Sequence, residues 1–455
     1  MSCLIHAFFR NAAATPEKLF IADITAPITY GEAAEKVRKI ALVLLNKNIK
    51  RGDYIAVEAT PTKEFLLFIL AANLTGAVFV PIEPTAAPPL PVVAVFTRAD
   101  QAAIYETTLS LCESETVAIS NLLSFITEEA VSEILFTTGT TGAPKGVILT
   151  HGNNLAIAEN IVTATKMTAD NVELIPLPFY HSHALRTFYA AVLNGSSVLV
   201  TDFIHILTIF ELANRYEITA LDLVPSMLTV LLKSARDELV ALNLDYIEIG
   251  AGFLAENLKT ELKELLPKTR LYNFYGTTEA GRTAILNFQT DDKPLSIGTA
   301  TANADFCVKD EALYIRGKML FAGYYGKEKL PKGEYFLTGD AASYDADGYI
   351  FLHGRLDDLI NIGGVKISPL TIEEAALKFP GVVKACAIGV PDPKYIESPK
   401  LVIVVDGNFS ALAKLKAFLK EELQYPPKEI IIADDIPTTF NGKVDRKAIK
   451  KLLLG

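Results

Sequence analysis

The sequence predicts an α/β protein. We expect a large N-terminal domain of sheets flanked by helices, with a small β-barrel-like part, followed by a small C-terminal α/β domain. Three observations predict this class. Helix-like and strand-like segments alternate through the first 84 residues, as they do in layered α/β folds. Between residues 130 and 280, short apolar strands and glycine loops alternate with helical stretches; after residue 295 short strands dominate, and the last hundred residues return to α/β alternation.

The first elements follow from apolar spacing. Residues 30–46 carry apolar side chains at helical intervals, and a Gly-Asp turn then leads into a strand at Tyr54–Glu58. Residues 65–82 are strongly apolar, but polar residues and a glycine interrupt them. We therefore expect a buried helix that runs into a strand at 77–81. A membrane span needs about 18 or more uninterrupted apolar residues, so none is expected.

The later elements are shorter. The proline-rich residues 85–91 fit neither a helix nor a central strand, and they predict a surface connection. Apolar runs at 197–200 and 219–224, separated by helical stretches, predict a large mixed or parallel sheet covered by helices. After residue 295, small antiparallel strands are expected at 306–308, 312–316 and 349–353, with a turn at 345–348.

Composition excludes several classes of protein. The 455 residues are 50% hydrophobic and 21% charged, with 27 glycines and 23 prolines, which is typical of a globular chain and not of a disordered or collagen-like one. A chain of this length indicates two to four domains. Lys and Arg number 43 against 53 Asp and Glu, a net charge of −10, so nucleic acid is not an expected partner.

The cysteines point to a reducing compartment. Cys3, Cys112, Cys307 and Cys386 are scattered and form no C-x-x-C pair, so neither a zinc site nor a disulfide framework is predicted. The first charged residue is Arg10, and the apolar stretch before it is too short for a secretory signal. We expect a cytoplasmic protein without a membrane span.

A loop at residues 134–147 has the composition of a phosphate-binding cradle. It offers flexible backbone N–H groups, hydroxyl donors and one cation to anionic oxygens. The residues concerned are Thr137, Thr138, Gly139, Thr140, Thr141, Gly142 and Lys145. Lys145 lies between Pro144 and Gly146, so the loop is not the P-loop of nucleotide triphosphatases, which requires Gly-Lys-Ser/Thr. A flexible turn is the alternative for such a loop alone, but the Pro-Lys-Gly exit resembles the signature loop of the adenylate-forming superfamily.

Further motifs support the resemblance to this superfamily, which includes acyl-CoA synthetases, luciferases and peptide-synthetase adenylation domains. Four segments are similar to its motifs, in the expected order: residues 273–279 (NFYGTTE), 336–340 (FLTGD), 354–369 (GRLDDLINIGGVKISP) and 437–447 (PTTFNGKVDRK). Each is weak alone, because a Tyr-Gly-Thr turn or an exposed lysine is common. Together they identify the chain as similar to AMP-dependent acid:CoA ligases over its whole length.

The resemblance implies a complete site for ATP. It implies that Tyr275 stacks on adenine, that Glu279 binds Mg²⁺, that Asp340 and Arg355 bind ribose, and that Lys443 catalyses adenylation. Other residues implied to bind ATP or AMP are Gly250, Ala251, Gly252, Asn273, Phe274, Gly276, Thr277 and Lys366, and Thr278 and His181 are implied to act in catalysis.

The resemblance also implies two domains and a hinge. Residues 1–356 would form the N-terminal adenylation domain and residues 358–455 a mobile C-terminal domain that carries Lys443. Asp357 would be the hinge, and rotation about it would bring Gly363 and Gly364 to line a channel for the pantetheine of CoA. ATP, Mg²⁺ and CoA are therefore the expected cofactors and substrates.

The acid itself is less determined. The family's pocket residues imply His183, Arg186, Phe253 and Arg282 as contacts to the substrate. His181-Ser-His183-Ala-Leu somewhat resembles the H-x-H-G-L of malonyl-CoA synthetases, and Arg282 would then meet a second carboxylate. The alternatives are a packed core histidine and a surface ion pair. An aliphatic or aryl acid fits the remaining segments equally well, and an amino acid is disfavoured.

Three functions stay open at this point. The first is an AMP-forming acid:CoA ligase, which activates a small carboxylic acid and transfers it to CoA. The second is a stand-alone adenylation enzyme that loads the phosphopantetheine thiol of a carrier protein. The third is a catalytically inactive nucleotide-binding sensor, which the presence of all the motif residues disfavours.

Overall fold

The structure is a computed structural model that describes residues 3–108, 119–138, 144–203, 206–407, 409–438 and 444–454. Several predictions lie outside these residues. They concern Gly139, Thr140, Thr141 and Gly142 of the phosphate loop and the adenylation lysine Lys443.

The described chain alternates helices and strands. The helices are α1 (Leu4–Ala14), α2 (Tyr30–Asn46), α3 (Lys63–Thr75), α4 (Arg98–Thr107), α5 (Ile119–Leu123), α6 (His151–Thr165), α7 (Ser182–Asn194), α8 (Ile206–Arg215), α9 (Pro225–Ser234), α10 (Arg236–Ala241), α11 (Glu256–Leu265), α12 (Pro369–Leu377), α13 (Leu412–Glu422) and α14 (Arg446–Leu454). A short 3-10 helix covers Leu356–Asp358.

The strands fall into three sheets. In chain order they are β1 (Leu19–Ala22), β2 (Ile28–Thr29), β3 (Tyr54–Glu58), β4 (Val78–Ile82), β5 (Ala94–Phe96), β6 (Val131–Thr138), β7 (Pro144–Thr150), β8 (Val172–Ile175), β9 (Ser197–Val200), β10 (Ala220–Leu223), β11 (Tyr246–Ile249), β12 (Arg270–Thr277), β13 (Gly281–Asn287), β14 (Ser296–Ala300), β15 (Ala304–Lys309), β16 (Ala312–Gly317), β17 (Gly323–Tyr324), β18 (Phe336–Tyr344), β19 (Ile350–Arg355), β20 (Ile360–Ile362), β21 (Val365–Ile367), β22 (Val382–Asp392), β23 (Ile396–Val405) and β24 (Glu429–Ile432).

The largest sheet has 13 strands in the order β15-β16-β18-β19-β14-β13-β12-β11-β10-β8-β9-β1-β2. From β9 through β12 neighbouring strands are parallel, and from β12 to β15 they are antiparallel. The strands predicted as a small β-barrel-like part therefore form the antiparallel end of this sheet. Since parallel strands end at one common edge, the residues that follow β10, β11 and β12 lie together there.

A second sheet has six strands in the order β17-β7-β6-β4-β3-β5. The predicted strand at Tyr54–Glu58 and the helix at 30–46 occur with the expected bounds. Helix α2 begins with a capping box, in which the side chains of Thr29 and Glu32 each bind the other's backbone N–H. The apolar run at 65–82 forms α3 and β4, and α3 is buried on all sides.

The third sheet uses only residues after the 3-10 helix. Its order is β21-β20-β23-β22, with β24 parallel to β23. A separate core packs against it, with Ile372 of α12, Leu401 of β23 and Leu415 of α13 almost fully buried. Helix α12 also packs against β19 of the large sheet. The C-terminal segment therefore has its own sheet and its own core, as an α/β unit requires.

We find no helix in the described ranges that combines the length and the apolar character needed to cross a membrane. The hydrophobic composition is instead explained by internal helices such as α3 and α7, whose side chains are buried. Within the described residues, Cys3, Cys307 and Cys386 form no disulfide.

Candidate active site

Three predicted nucleotide-binding residues lie on strands of the large sheet. Tyr275 is near the end of β12, and Asp340 of β18 lies directly opposite Arg355, the last residue of β19. The Tyr275 hydroxyl donates to one Asp340 carboxylate oxygen, and Nη1 of Arg355 donates to the other over 3.1 Å. Each carboxylate oxygen keeps a second lone pair. Asp340 is thus held in place and can still accept hydrogen bonds from a diol such as ribose.

The Tyr275 hydroxyl is a permanent donor in this arrangement. Burial, reinforced by the charge of Asp340, raises the pKa of Tyr275 well above its usual value. Arg355 is further fixed by donating to the backbone carbonyl of Thr338 over 3.0 Å. A side chain at Gly339 would place its Cβ 2.5 Å from Arg355 Nη2, and Gly339 has a φ of +79°. Glycine is therefore required where the Thr-Gly-Asp turn passes the guanidinium.

The Gly250–Gly252 segment forms another wall at the sheet edge. It follows β11 directly, and Ala251 adopts a positive φ of 62°. A Cβ at Gly250 would lie 2.2 Å from the ring of Phe274, so only glycine allows this approach. Asn273 donates from Nδ2 to the carbonyl of Ile249 over 2.9 Å, which joins β12 to the end of β11. The predicted nucleotide-binding segments 250–252 and 273–276 therefore contact each other.

The residues on the predicted phosphate side of the site come from the two larger sheets. Thr137 and Lys145 are opposite each other in the β6–β7 hairpin. Lys145 is exposed, and its Nζ lies 5.5 Å from the ring centroid of Tyr324. The hydroxyl of Tyr324 donates to Glu279 over 2.8 Å, and burial raises the Tyr324 pKa. Sequence reasoning missed Tyr324, because it lies in no recognised motif.

Glu279 is suited to a magnesium site that a substrate completes. It lies in the turn between β12 and β13, is half-buried, and has Oε1 bound by Tyr324. No group of three or more His, Cys, Asp or Glu side chains in the described ranges could hold a metal ion by itself. Mg²⁺ commonly uses one or two carboxylates together with substrate phosphates. A single carboxylate near Lys145, the cation predicted to bind phosphate, fits that pattern.

The remaining predicted catalytic and pocket residues lie at several depths. Thr278 shares the turn of Glu279 and is half-buried, and the Thr277 hydroxyl is buried without a hydrogen bond to any described residue. His181 precedes α7, and its ring contacts that of Tyr180. Phe253 is 43% exposed. Of these four, Phe253 is the most open to a ligand.

Arg186 is placed in the core. Its Nη2 lies 2.5 Å from Glu133, both side chains are almost fully buried, and Nη1 donates to Asn154 over 2.6 Å. Such a paired, enclosed guanidinium stabilises the contact between α6, α7 and β6. This position disfavours the predicted contact with the substrate.

His183 and Arg282, predicted as pocket residues, belong to one buried polar cluster beneath α7. We define the buried polar cluster by five side chains: Glu173, His183, Asp222, Glu248 and Arg282. Arg282 donates to Asp222 over 2.9 Å and to Glu248 over 2.6 Å. His183 Nε2 lies 2.6 Å from the other oxygen of Asp222. Arg282 is thus already bound to two buried carboxyl groups, which disfavours both a surface ion pair and its predicted contact with a second substrate carboxylate.

Burial sets the charges of this cluster. It raises the pKa of Glu248 to about 8 in spite of Arg282, and it raises that of Glu173 well above the usual value. Burial also lowers the pKa of His183, whereas the charges of His183 and Arg282 hold that of Asp222 low in spite of burial. These directions favour an ionised Asp222–Arg282 pair and a protonated Glu248 near pH 7. Sequence reasoning missed Glu173, Asp222 and Glu248, which lie in no motif.

The hinge and channel residues are on the surface. Asp357 is exposed in the middle of the 3-10 helix, which joins β19 to β20. Gly363 and Gly364 have positive φ values of 63° and 95° and form the exposed turn between β20 and β21. Asn361 accepts the Gly364 N–H over 2.9 Å, and Lys366 is exposed in β21.

The fold and this site define an α/β protein with the nucleotide-facing groups of an adenylate-forming enzyme. The family model described as "AMP-binding enzyme" matches residues 8–90 and 90–325, and the model of the AMP-binding enzyme C-terminal domain matches residues 371–443. The chain belongs to the AMP-binding enzyme family. The resemblance seen in the motifs is thereby confirmed.

Of three similar proteins, two carry CoA in their names. The chain is 32% identical over 333 residues to 2-succinylbenzoate–CoA ligase of Staphylococcus aureus, a match that covers 70% of this chain and 66%, just under two thirds, of the relative. The structure resembles ATP-bound MatB of Rhodopseudomonas palustris, with a TM-score of 0.83 at 24% identity over 99% of both chains. It also resembles o-succinylbenzoate CoA synthetase of Bacillus subtilis in complex with its acyl-adenylate, with a TM-score of 0.81 at 22% identity over 98% of this chain and 97% of that one.

Proposed function

We propose that this chain is an AMP-forming acid:CoA ligase, which activates a carboxylic acid with ATP and transfers the acyl group to CoA. One observation carries the proposal. Tyr275 and Arg355 hold Asp340 in position to bind ribose. The Tyr324 hydroxyl donates to Glu279, and the ring of the same Tyr324 lies beneath the ammonium group of Lys145. The charge of Arg355 also acts to lower the pKa of Tyr324, against the larger effect of burial, which supports placing the two groups in one site.

The first half-reaction joins the acid to AMP. A carboxylate oxygen attacks the α-phosphorus of ATP, the new P–O bond forms, and the bond to the bridging oxygen breaks with its electrons leaving on pyrophosphate. Negative charge increases on the departing phosphates, and preorganised cations and N–H donors stabilise it. In our proposal Lys145 and the 137–142 loop bind those phosphates, and Lys443 lies near the attacking carboxylate.

Glu279 would hold Mg²⁺ through its carboxylate, and the ion would supply Lewis-acid stabilisation of phosphate charge. Tyr324 orients Glu279 for that role through its hydrogen bond. Asp340 and Arg355 bind the ribose and keep the adenosine end fixed, so the α-phosphorus is presented in one orientation.

The second half-reaction transfers the acyl group. The thiolate sulfur of CoA attacks the acyl carbonyl, a C–S bond forms, and the C–O bond to AMP breaks. We propose that residues 358–455 rotate about Asp357 between the two steps. The rotation would remove Lys443 from the site and bring the exposed Gly363–Gly364 turn to the path of pantetheine.

CoA is the acceptor we favour over a carrier protein. Two of the similar proteins, from S. aureus and B. subtilis, are named as CoA ligase and CoA synthetase. Cys3, Cys307 and Cys386 form no disulfide within the described residues, which agrees with a reducing compartment, and we propose the cytoplasm.

The test is pyrophosphate release with MgATP and a panel of carboxylic acids, each assayed with and without CoA. Release that depends on one class of acid and rises with CoA, together with formation of the thioester, is expected. Release that needs an acid but ignores CoA would favour carrier-protein loading. A protein that binds ATP and releases no pyrophosphate with any acid would be the nucleotide-binding sensor, and the proposal would be wrong.

A further inference from the structure

The motif that contains the adenylation lysine also contains an arginine, Arg446, to which the sequence alone assigns no role. Arg446 is the first residue of α14 and comes three positions after Lys443. Three residues of chain span at most about 11 Å. A change in the position of Arg446 is therefore passed to the lysine through a short piece of chain.

The described residues on either side of 439–443 are bonded to each other. Thr438 and Val444 form an antiparallel bridge, and the N–H of Asp445 donates to the carbonyl of Pro437 over 2.9 Å. The Asp445 carboxylate also accepts a backbone N–H in the first turn of α14 over 3.0 Å, as a helix-capping residue does. We call these four residues the base of the lysine segment. Its two strands and α14 are fixed to one another.

A buried ion pair attaches this base to the rest of the unit built on the third sheet. Nη2 of Arg446 donates to Oε1 of Glu373 in α12 over 2.5 Å, and the two side chains are 17% and 6% exposed. The same carboxylate oxygen accepts the N–H of Ala387 in β22 over 2.8 Å. Glu373 thereby joins α12, α14 and β22. Removal of either partner would leave a buried charge without compensation.

The pair is also close to the predicted hinge. Burial acts to lower the pKa of Arg446, but the acidic groups around it, Glu373 and Asp358 among them, raise it overall. Asp358 is the last residue of the 3-10 helix that contains Asp357. Helix α12 packs against β19, the strand that leads into that helix. The Arg446 guanidinium is therefore within electrostatic reach of the hinge and is bound to a helix that contacts the large sheet.

We propose that Arg446 is a positioning residue for adenylation, which holds Lys443 in the orientation needed at the attacking carboxylate through its ion pair with Glu373. The inference rests on the proposed function, because it uses the role given there to the lysine. It adds a pair of residues that act on the reaction without touching the substrate. Since the lysine takes part only in the first half-reaction, the pair should matter for that step alone.

Arg446→Gln should impair the two half-reactions unequally. Adenylation would be measured as acid-dependent exchange of pyrophosphate into ATP, with whichever of malonate, butanoate, octanoate and benzoate the wild type uses best. Thioester formation would be measured from CoA and the synthetic acyl-adenylate of the same acid. We expect kcat for exchange to fall roughly 10- to 100-fold at an unchanged KM for ATP, and thioester formation to stay within about threefold of wild type.

Three results would contradict this expectation. Equal loss of both half-reactions, or exchange at the wild-type rate, would overturn the inference and leave the proposed function standing. A wild-type protein that releases no pyrophosphate with any of the four acids would overturn both.

A double variant shows whether Arg446 acts through the lysine. In a Lys443→Ala background, Arg446→Gln should change the residual exchange rate by less than about twofold, because residues that act through one another are not additive. A general loss of packing would lower the rate in both backgrounds. An effect of about tenfold that persists without the lysine would overturn the inference.

Glu373→Gln tests the other partner and serves if Arg446→Gln does not fold. The amide keeps an acceptor for the Ala387 N–H but carries no charge to pair with Arg446. Because charged hydrogen bonds are stronger than neutral ones, we expect exchange to fall by at least about threefold and thioester formation to be retained. Lys384→Gln, in an exposed ion pair with Asp435 of the same unit, is the control and should retain both. Wild-type exchange in folded Glu373→Gln would overturn the inference.

Discussion

Tyr324 shows how a single side chain completes the phosphate side of the site. Its hydroxyl orients Glu279, and its ring lies beneath the ammonium group of Lys145. A cation above an aromatic ring is attracted electrostatically, and a hydrogen bond to a carboxylate is stronger than one between neutral groups. Both interactions keep oppositely charged groups in place on two sides of the expected phosphates.

Tyr324→Phe should separate these two effects. The variant keeps the ring beneath Lys145 and removes the hydrogen bond to Glu279, for which a loss of about 1.5–3 kcal/mol is typical. We expect a decrease of roughly 10- to 100-fold in kcat/KM for MgATP, measured by pyrophosphate release. Tyr325→Phe, at the neighbouring and more exposed position, should retain wild-type kinetics. Equal kinetics for Tyr324→Phe and wild type would contradict the role assigned to the hydroxyl.

Glu248 should make the stability of the protein depend on pH. Its pKa is about 8 in the folded protein and 4.5 ordinarily, so between these values the folded state holds a proton that the unfolded state has released. The stabilisation from this proton is complete below the ordinary value and is lost as pH rises towards about 8, at about 1.4 kcal/mol per pH unit.

Glu248→Gln removes that titration. We would measure the free energy of unfolding in urea at about pH 6 and about pH 7.5. The wild type should lose stability over this interval more steeply than the variant, by about 1.4 kcal/mol per pH unit. Asp222, Arg282 and the raised Glu173 are present in both proteins, so their contributions largely cancel in the comparison. Parallel pH profiles would show that Glu248 is ionised when folded.

Sequence reasoning found residues that belong to motifs and missed those defined by distant contacts. Asp340, Arg355 and Glu279 were named because each lies in a short ordered pattern. Tyr324 reaches Glu279 across 45 positions, and Asp222 meets Arg282 across 60. No local pattern records such pairs. Similarly, Arg282 looked available to a substrate until the structure placed two carboxylates on it.

At the level of elements, the Gly250–Phe274 contact makes β11 and β12 interdependent. The end of β11 approaches the Phe274 ring so closely that only glycine fits, and Asn273 bonds to the carbonyl just before it. Two neighbouring strands that carry predicted nucleotide-binding residues are thereby fixed to each other as one unit.

Gly250→Ala should disrupt that unit. The added Cβ would lie 2.2 Å from Phe274, and forcing an extra methyl group into a packed site costs about 1–3 kcal/mol of stability. Gly252→Ala is the matched control for stability, because its Cβ would lie 3.4 Å from Pro225, which is ordinary contact. Thermal unfolding should show a lower Tm for Gly250→Ala only. A Tm equal to that of the control would show that Phe274 has room to move aside.

Individual elements were more predictable than their arrangement. The helix at 30–46 and the strands at Tyr54–Glu58 and 197–200 have the expected bounds, because apolar spacing and capping residues are local signals. The joining of the strands after residue 295 to the large sheet depends on the β13–β14 and β14–β19 pairs. Side-chain periodicity tells which face of a strand is buried but not which strands pair, so these pairs could not be predicted from the sequence.

At the level of the whole molecule, two regions meet around a short 3-10 helix. Leu356–Asp358 joins the last strand of the large sheet to the first strand of the third sheet. Asp357 is exposed there. A backbone hydrogen bond runs from the N–H of Leu359 to the carbonyl of Arg355 and does not involve the N–H of Asp357. The connection is therefore short and exposed at Asp357, which agrees with the predicted hinge.

Asp357→Pro should affect the two half-reactions differently. Proline fixes φ near −65° and restricts the preceding residue, which opposes rotation at this point. We expect acyl-adenylate formation, followed as pyrophosphate exchange, to remain within about threefold of wild type, and thioester formation to fall by at least about tenfold. Asp357→Ala, which leaves the backbone free, should retain both. Equal loss of both half-reactions in the proline variant would make the hinge assignment wrong.

The hydrogen bond from Tyr324 to Glu279 also joins two sheets that share no strand. Tyr324 ends β17 of the six-stranded sheet, whereas Glu279 follows β12 of the 13-stranded one. A nucleotide held by Lys145 on one side and by Asp340 on the other would bridge the same boundary. Its binding energy would then be shared by both sheets, and amide hydrogen exchange would slow in β7 and β18 together. The substrate would thus serve as part of the protein's framework while it reacts.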